Sequence, residues 1–176
     1  MRVLGIDPCK SRNLGFCLLT LDEGGEVVRL DSGVHFIPTD DPSLRLLDVH
    51  DFVVDLILDN HVTDVAYERS IGGGFGPTRE ALGETCGAIR LAAAECHVTC
   101  HSVQGSSASK LWTGSGKSSK PRTMRVARER FWRDSKSYRE IRPSEDGKTS
   151  VFEHEADAMM VSHFVLMQDR EENVAA

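Results

Sequence analysis

Val3-Leu4-Gly5-Ile6-Asp7-Pro8 is the stretch whose reading decides the fold. The run from Val3 to Ile6 predicts a buried strand, the acid ends it, and Pro8 withholds the next backbone N–H from any ladder. A carboxylate at the end of a buried strand is costly unless something pairs with it. Two later stretches supply company. Val65-Ala66-Tyr67-Glu68 is a second apolar run ending on an acid, and His154-Glu155-Ala156-Asp157 opens an apolar helical pattern with a His and an acid three apart. The expectation is that Asp7, Glu68, His154 and Asp157 meet around divalent metal.

Working outward, Asn13 to Leu21 predicts a second strand. Asp22-Glu23-Gly24-Gly25 is a hairpin signal, and Glu26 to Phe36 a third strand, which together make an antiparallel meander. From Pro42 to Asn60 the period turns helical. Leu46, Leu47, Phe52, Val53, Leu56 and Ile57 form its apolar stripe, with Asp41 or Ser43 as cap. Val62 to Tyr67, reached through that helix, predicts a strand parallel to an earlier one. A glycine-rich loop (Ile71 to Pro77), a helix (Thr78 to Cys96), a fifth strand (His97 to Val103) and a helical turn (Ser106 to Trp112) follow. Then come a Gly/Ser hinge (Gly114 to Lys120), a basic helix (Pro121 to Arg133), a polar loop (Asp134 to Ser150), a last helix (Phe152 to Met167) and a frayed acidic tail.

The fold class is therefore α/β, a five-stranded mixed sheet with helices on both faces. A single domain is expected over 1–168, with the tail at 169–176. Asp7 and Glu68 fall at the ends of neighbouring parallel strands, the edge where open α/β sheets bind ligands.

Composition limits the function classes. Apolar and charged fractions of 40% and 27% over 176 residues indicate a globular chain with a real core. No apolar run reaches the roughly 20 residues of a membrane helix, and the first residues lack a secretory signal pattern, so no membrane partner is expected. Five cysteines without CxxC spacing suit a reducing cytosol and argue against a zinc knuckle. Net charge is −6, yet Lys110 to Arg142 holds 11 basic and three acidic residues, +8, leaving −14 on the remainder. A basic third on an acidic body is the asymmetry of a phosphate-binding face. Lys110, Lys117, Lys120, Arg122 and Arg125 are its candidate nucleic-acid contacts.

Two carboxylates on adjacent strand ends suit a hard cation, and a His and an acid three apart share a helix face that closes the site. That donor set fits Mg²⁺, with Mn²⁺ allowed by the imidazole; two ions would drive phosphodiester hydrolysis. Each residue has a plainer reading. Asp7 starts a turn, Glu68 pairs with Arg69, and His154 and Asp157 decorate a helix N-terminus. Taken together these explain less, because all must then fall at one sheet edge by chance. Gly114-Ser115-Gly116-Lys117-Ser118 is not a P-loop, since Leu111 stands where its first glycine belongs.

Five stretches in order now carry a resemblance. They are Gly5-Ile6-Asp7-Pro8 through Gly15-Phe16; Ala66-Tyr67-Glu68; Leu82-Gly83-Glu84-Thr85-Cys86-Gly87-Ala88-Ile89; Trp112-Thr113-Gly114-Ser115-Gly116 with Lys120; and His154-Glu155-Ala156-Asp157-Ala158. The chain resembles the RuvC family of Holliday junction resolvases, within the RNase H-like superfamily. The resemblance implies a cytoplasmic, nucleoid-associated homodimer that nicks four-way DNA junctions symmetrically. Asp7, Glu68, His154 and Asp157 would be its metal ligands and catalytic set, with two Mg²⁺ (or Mn²⁺) ions. Lys110 and Lys120 would contact the scissile strand. The family's junction-opening aromatic corresponds to Ile71, while the nearest aromatic is Phe75, which leaves the mode of opening to be found. The residues do not indicate a branch-migration helicase. Rival readings are a broader flap and branched-DNA nuclease, an RNase H-type hybrid nuclease, and a junction-binding module without chemistry.

Overall fold

In a computed structural model, the structure describes residues 1–8, 12–69, 76–131 and 151–175. The expected loop from 134 to 150, Ile71 and Phe75 lie outside them.

The strands are β1 (Arg2–Asp7), β2 (Asn13–Leu21), β3 (Val27–Phe36), β4 (Asp64–Arg69) and β5 (Thr99–Gln104). The helices are α1 (Pro42–Asn60), α2 (Pro77–Glu95), α3 (Gly105–Thr113), α4 (Lys120–Phe131) and α5 (Val151–Ala175). The sheet order is β3-β2-β1-β4-β5. β1, β2 and β3 form the expected meander, and β4 lies parallel to both β1 and β5. Side-chain alternation then splits the core into two layers. Leu4, Ile6, Leu14, Leu18, Val65 and Tyr67 face α1 and α2. Val3, Cys17, Leu19, Ala66 and Val103 face α5, with α3 and α4 beyond.

Local chemistry explains the helix bounds. Asp41 caps α1, its Oδ1 accepting from the Ser43 and Leu44 N–H groups at 2.9 and 3.0 Å, and Pro42 occupies the first turn. His61 stops it in the left-handed region at φ 52°. Two expectations are corrected. The buried stripe of α1 is Val49, Val53 and Ile57, and Leu47 points outward at 55% exposure. The break expected at Asp169 is absent, because α5 runs on to Ala175. Arg, Glu and Gln are good helix formers, so an acidic, polar stretch extends a helix already nucleated in the core.

Behind the sheet, α3, α4 and α5 meet around His163. Arg130 Nη1 donates to its Nε2 at 2.6 Å, and the Arg130 Cζ lies 4.9 Å from the centre of the Trp112 ring, which meets the imidazole edge-on. Its Nδ1 is buried with no partner among the described residues. Burial, then the Arg130 charge, lowers the His163 pKa from 6.5 to about 4. A histidine depressed on folding stabilises fully above pH 6.5, and that contribution drains away as pH falls toward 4, on the order of 3 kcal/mol. Denaturant melts from pH 7 to 4 should therefore fall more steeply for the wild type than for His163→Gln; parallel curves would remove His163 from the acid sensitivity.

Candidate active site

Register places the first acid. Asp7 ends β1 opposite Gly15 of β2, and Ile6 pairs with Tyr67 of β4, so Asp7 and Glu68 share one end of the sheet. Both point to the α5 face, in step with Val3 and Ala66.

Helix α5 reaches Asp7 because two glycines let it down onto the strands. A Cβ on Gly5 would stand 2.2 Å from the Ala158 carbonyl oxygen and 2.8 Å from the Ser162 Cβ. One on Gly15 would stand 2.2 Å from the His154 carbonyl oxygen. With α5 seated this closely, His154 Nδ1 comes 2.6 Å from Asp7 Oδ2. A third glycine serves Glu68. A Cβ on Gly105, the first residue of α3, would fall 2.0 Å from its Oε1.

The charges here act on one another. Burial, then the Asp7 charge, raises the Glu68 carboxyl, against the pull of Lys120. Burial, then Asp7, holds Asp157 well above the ordinary carboxylate range, with Glu68 and Glu153 adding to the effect. Lys120 answers them. Its Nζ lies 3.2 Å from Glu153 Oε2 and 3.9 Å from Asp157 Oδ2. Burial alone would lower its pKa, but Asp157, Glu153 and Asp7 together raise it.

All four expected residues thus come to one end of the sheet, with Asp7 and His154 in contact. Among the described residues, no three of His, Cys, Asp and Glu are already drawn together closely enough to hold a metal ion. The acids repel one another, and Lys120 offsets part of that repulsion. The donor chemistry fits a hard divalent ion: three carboxylates, one imidazole, and buried negative charge that has already recruited an ammonium.

The other expected contacts are dispersed. Lys110, Lys117 and Arg125 are exposed, Arg125 with Glu129 at 4.0 Å. Arg122 Nη2 donates to the Thr113 carbonyl at 2.6 Å, so it also ties α4 to the end of α3. Lys120 belongs with the acids rather than on the open basic surface. Ile71 and Phe75 fall outside the described residues. Sequence reading passed over Glu153; its signal was the four-residue spacing to Asp157 on one helix face. Glu155 accepts from Ser32 Oγ at 2.5 Å, and Arg29 Nη1 donates to that Oγ at 2.8 Å. It ties α5 to β3 and faces away from the acids.

Residues 3–129 match the sequence profile of the family described as crossover junction endodeoxyribonuclease RuvC. Among solved structures, the chain is similar to Thermus thermophilus RuvC, with TM-score 0.75 and 20% identity over 98% of this chain and 97% of that one. It is similar to the same organism's RuvC in complex with Holliday junction substrate, with TM-score 0.74 and 19% identity over 97% and 96%. The yeast mitochondrial Holliday junction resolvase Ydc2 matches with TM-score 0.66 and 14% identity over 93% and 77%. No curated protein sequence matches significantly.

Proposed function

Because the chain belongs to the crossover junction endodeoxyribonuclease RuvC family, we propose that it resolves four-way DNA junctions by paired symmetric nicks, with Asp7, Glu68, His154 and Asp157 as its metal-holding centre. The observation that carries the site assignment is the convergence of these residues from β1, β4 and α5 at one sheet end. The profile match stops at residue 129, before α5 begins. His154 and Asp157 therefore rest on geometry, above all the 2.6 Å contact between His154 and Asp7.

The ions proposed are two Mg²⁺, with Mn²⁺ the alternative. When bound, such ions activate a water and neutralise charge on the departing oxygen. The chain's own groups do the rest. His154 donates its Nδ1–H to Asp7, which fixes the tautomer and leaves Nε2 with a free lone pair as the ligand atom. The same bond orients the Asp7 carboxylate. Gly105 gives Glu68 room to turn its carboxylate inward. Lys120, anchored by Glu153 and Asp157 yet 56% exposed, presents an ammonium to a phosphate arriving at the site. Lys110, Lys117, Arg122 and Arg125 extend the positive surface along the DNA.

The test is a labelled four-way junction beside a fork, a flap and an RNA–DNA hybrid, each with Mg²⁺ and with chelator. Paired nicks at symmetric positions of the junction, abolished by chelator, are expected. Cutting that ignores branch symmetry, or favours the hybrid, would overturn the assignment.

A homodimer completes the reading, since paired nicks need two sites. Support comes from the outer face of α1 and α2. A mostly apolar groove of about 560 Å³ runs between them, lined by Leu46, Leu47, Gly87, Ala88 and Leu91 together with His50, Glu84 and Glu95. Leu47 and Leu91 are 55% and 61% exposed, and a Cβ on Gly83 or Gly87 would meet nothing within 4 Å. Contiguous apolar surface of this kind marks an interaction site. Leu91→Asp, on the surface of the single chain, should convert a sedimenting dimer to a folded monomer and abolish the pairing of nicks. A wild type that sediments as a monomer while cutting symmetrically would refute the dimer.

A further inference from the structure

A second cavity, of about 530 Å³, opens at the same end of the sheet as the acids but on the opposite face, between α2 and strands β4 and β5. Three arginines line it: Arg69 from the end of β4, and Arg79 and Arg90 from α2. Tyr67, Ser102 and the Cys86 thiol line it as well, and among the described residues no carboxylate does. Among the described residues, none of the three guanidiniums has an ion-pair or hydrogen-bond partner. In a chain of net charge −6 that pairs Arg12 with Asp40 and Arg45 with Glu84, three uncommitted guanidiniums around one hollow are a built anion site. The Arg90 charge reaches the hollow, since it pulls down both the Cys86 and Cys100 thiols against the burial that raises them.

Arg69 follows Glu68 directly, and adjacent strand residues point to opposite faces. A DNA strand lying on the acids is thus separated from the arginines by the sheet itself. One straight duplex does not reach both faces, whereas two arms that diverge at a branch do.

We propose that Arg69, Arg79 and Arg90 hold a backbone phosphate of a junction arm other than the one bearing the cut strand. This rests on the junction-resolving reading above. The site adds to the basic residues between Lys110 and Arg125 and gives the chain a contact that only branched DNA satisfies.

The experiment measures affinity for a four-way junction and for a linear duplex across a salt series, without divalent metal. The proteins are wild type, Arg79→Gln/Arg90→Gln and Arg79→Lys/Arg90→Lys, with sedimentation and melting run on each. The Gln variant should remain folded and in the wild-type oligomeric state. It should lose about tenfold in junction affinity and about one unit in the slope of log K against log salt, with little loss on duplex. The Lys variant should recover most of the slope, which a packing role would not restore.

A wild type that binds and cuts the junction while the Gln variant keeps its affinity and slope would overturn the pocket alone. Equal losses on junction and duplex would overturn the assignment to a second arm. Millimolar inorganic phosphate that raises the wild-type Tm but not the Gln variant's, with DNA binding unchanged, would make this a free-anion site and overturn the DNA assignment. A wild type that binds no junction would bring down the parent reading, and this one with it.

Discussion

Asp7→Asn should lose roughly a thousandfold or more of its junction cutting while binding the junction as tightly as the wild type and melting no lower. Three features of the site make the outcome this specific. The change removes one charge with almost no change of shape, and an Asn oxygen still accepts from His154 Nδ1–H, so α5 stays seated. The charge removed repels the neighbouring acids, helping to raise both Glu68 and Asp157 above their ordinary range, while it favours the charged Lys120. Taking it away relieves repulsion in a partly buried cluster, and the trade is function for stability. What is lost, on the proposed assignment, is a ligand to a divalent ion, which chemistry of this type does not tolerate. Single-turnover cleavage, equilibrium binding and a thermal melt on the same protein check all three parts. Undiminished cutting would sink the site assignment, while lost binding or a lower Tm would mean that Asp7 is a structural residue.

Gly5→Ala and Gly15→Ala should each destabilise the chain by about 3 kcal/mol, a large effect for one methyl group. In both cases the added carbon meets backbone rather than the end of a flexible side chain. Gly5 faces the Ala158 carbonyl and Gly15 the His154 carbonyl, each at 2.2 Å. Neither helix nor strand can yield without losing ladder or helix hydrogen bonds. The two should differ in function. Gly15 lies beneath the very residue that contacts Asp7, so lifting α5 there separates the pair, and activity should fall further than the folded fraction does. Gly105→Ala is the contrast. The three atoms nearest its methyl group all belong to the movable Glu68 side chain, so it should fold nearly as well as wild type and cut poorly. Denaturant titrations with activity at matched folded fraction separate these cases. Wild-type stability for Gly5→Ala would show that α5 does not rest on β1 as described.

Much of this was legible in the sequence, and the parts that were not share a cause. β2 ran where its pattern placed it, and so did α1, because alternation and the 3.6 period are local. The parallel pairing of β1 with β4 followed from the helix between them. The outward turn of Leu47 was hidden, since a leucine reads as core unless one knows which face the sheet covers. The persistence of α5 through its acidic end was missed because composition suggested fraying where helix propensity and a packed start prevail. The clearance supplied by Gly5, Gly15 and Gly105 depends on elements distant in the chain, and no spacing rule reveals it. The arginines of the second cavity stand 10 and 11 residues apart on two elements, which in sequence is no cluster at all.

The Asp7–His154 contact joins residues 147 positions apart. Glu68 lies between them in sequence and Asp157 just beyond. During synthesis, therefore, a growing chain displays Asp7 and Glu68 long before the other two exist, and a fragment ending anywhere before α5 carries only half the set. On the proposed assignment, the set is complete only once the last helix is in place and is undone if that helix detaches. A nuclease built on this assignment would be inactive in every unfinished or partly unfolded form, by the order of its residues along the chain.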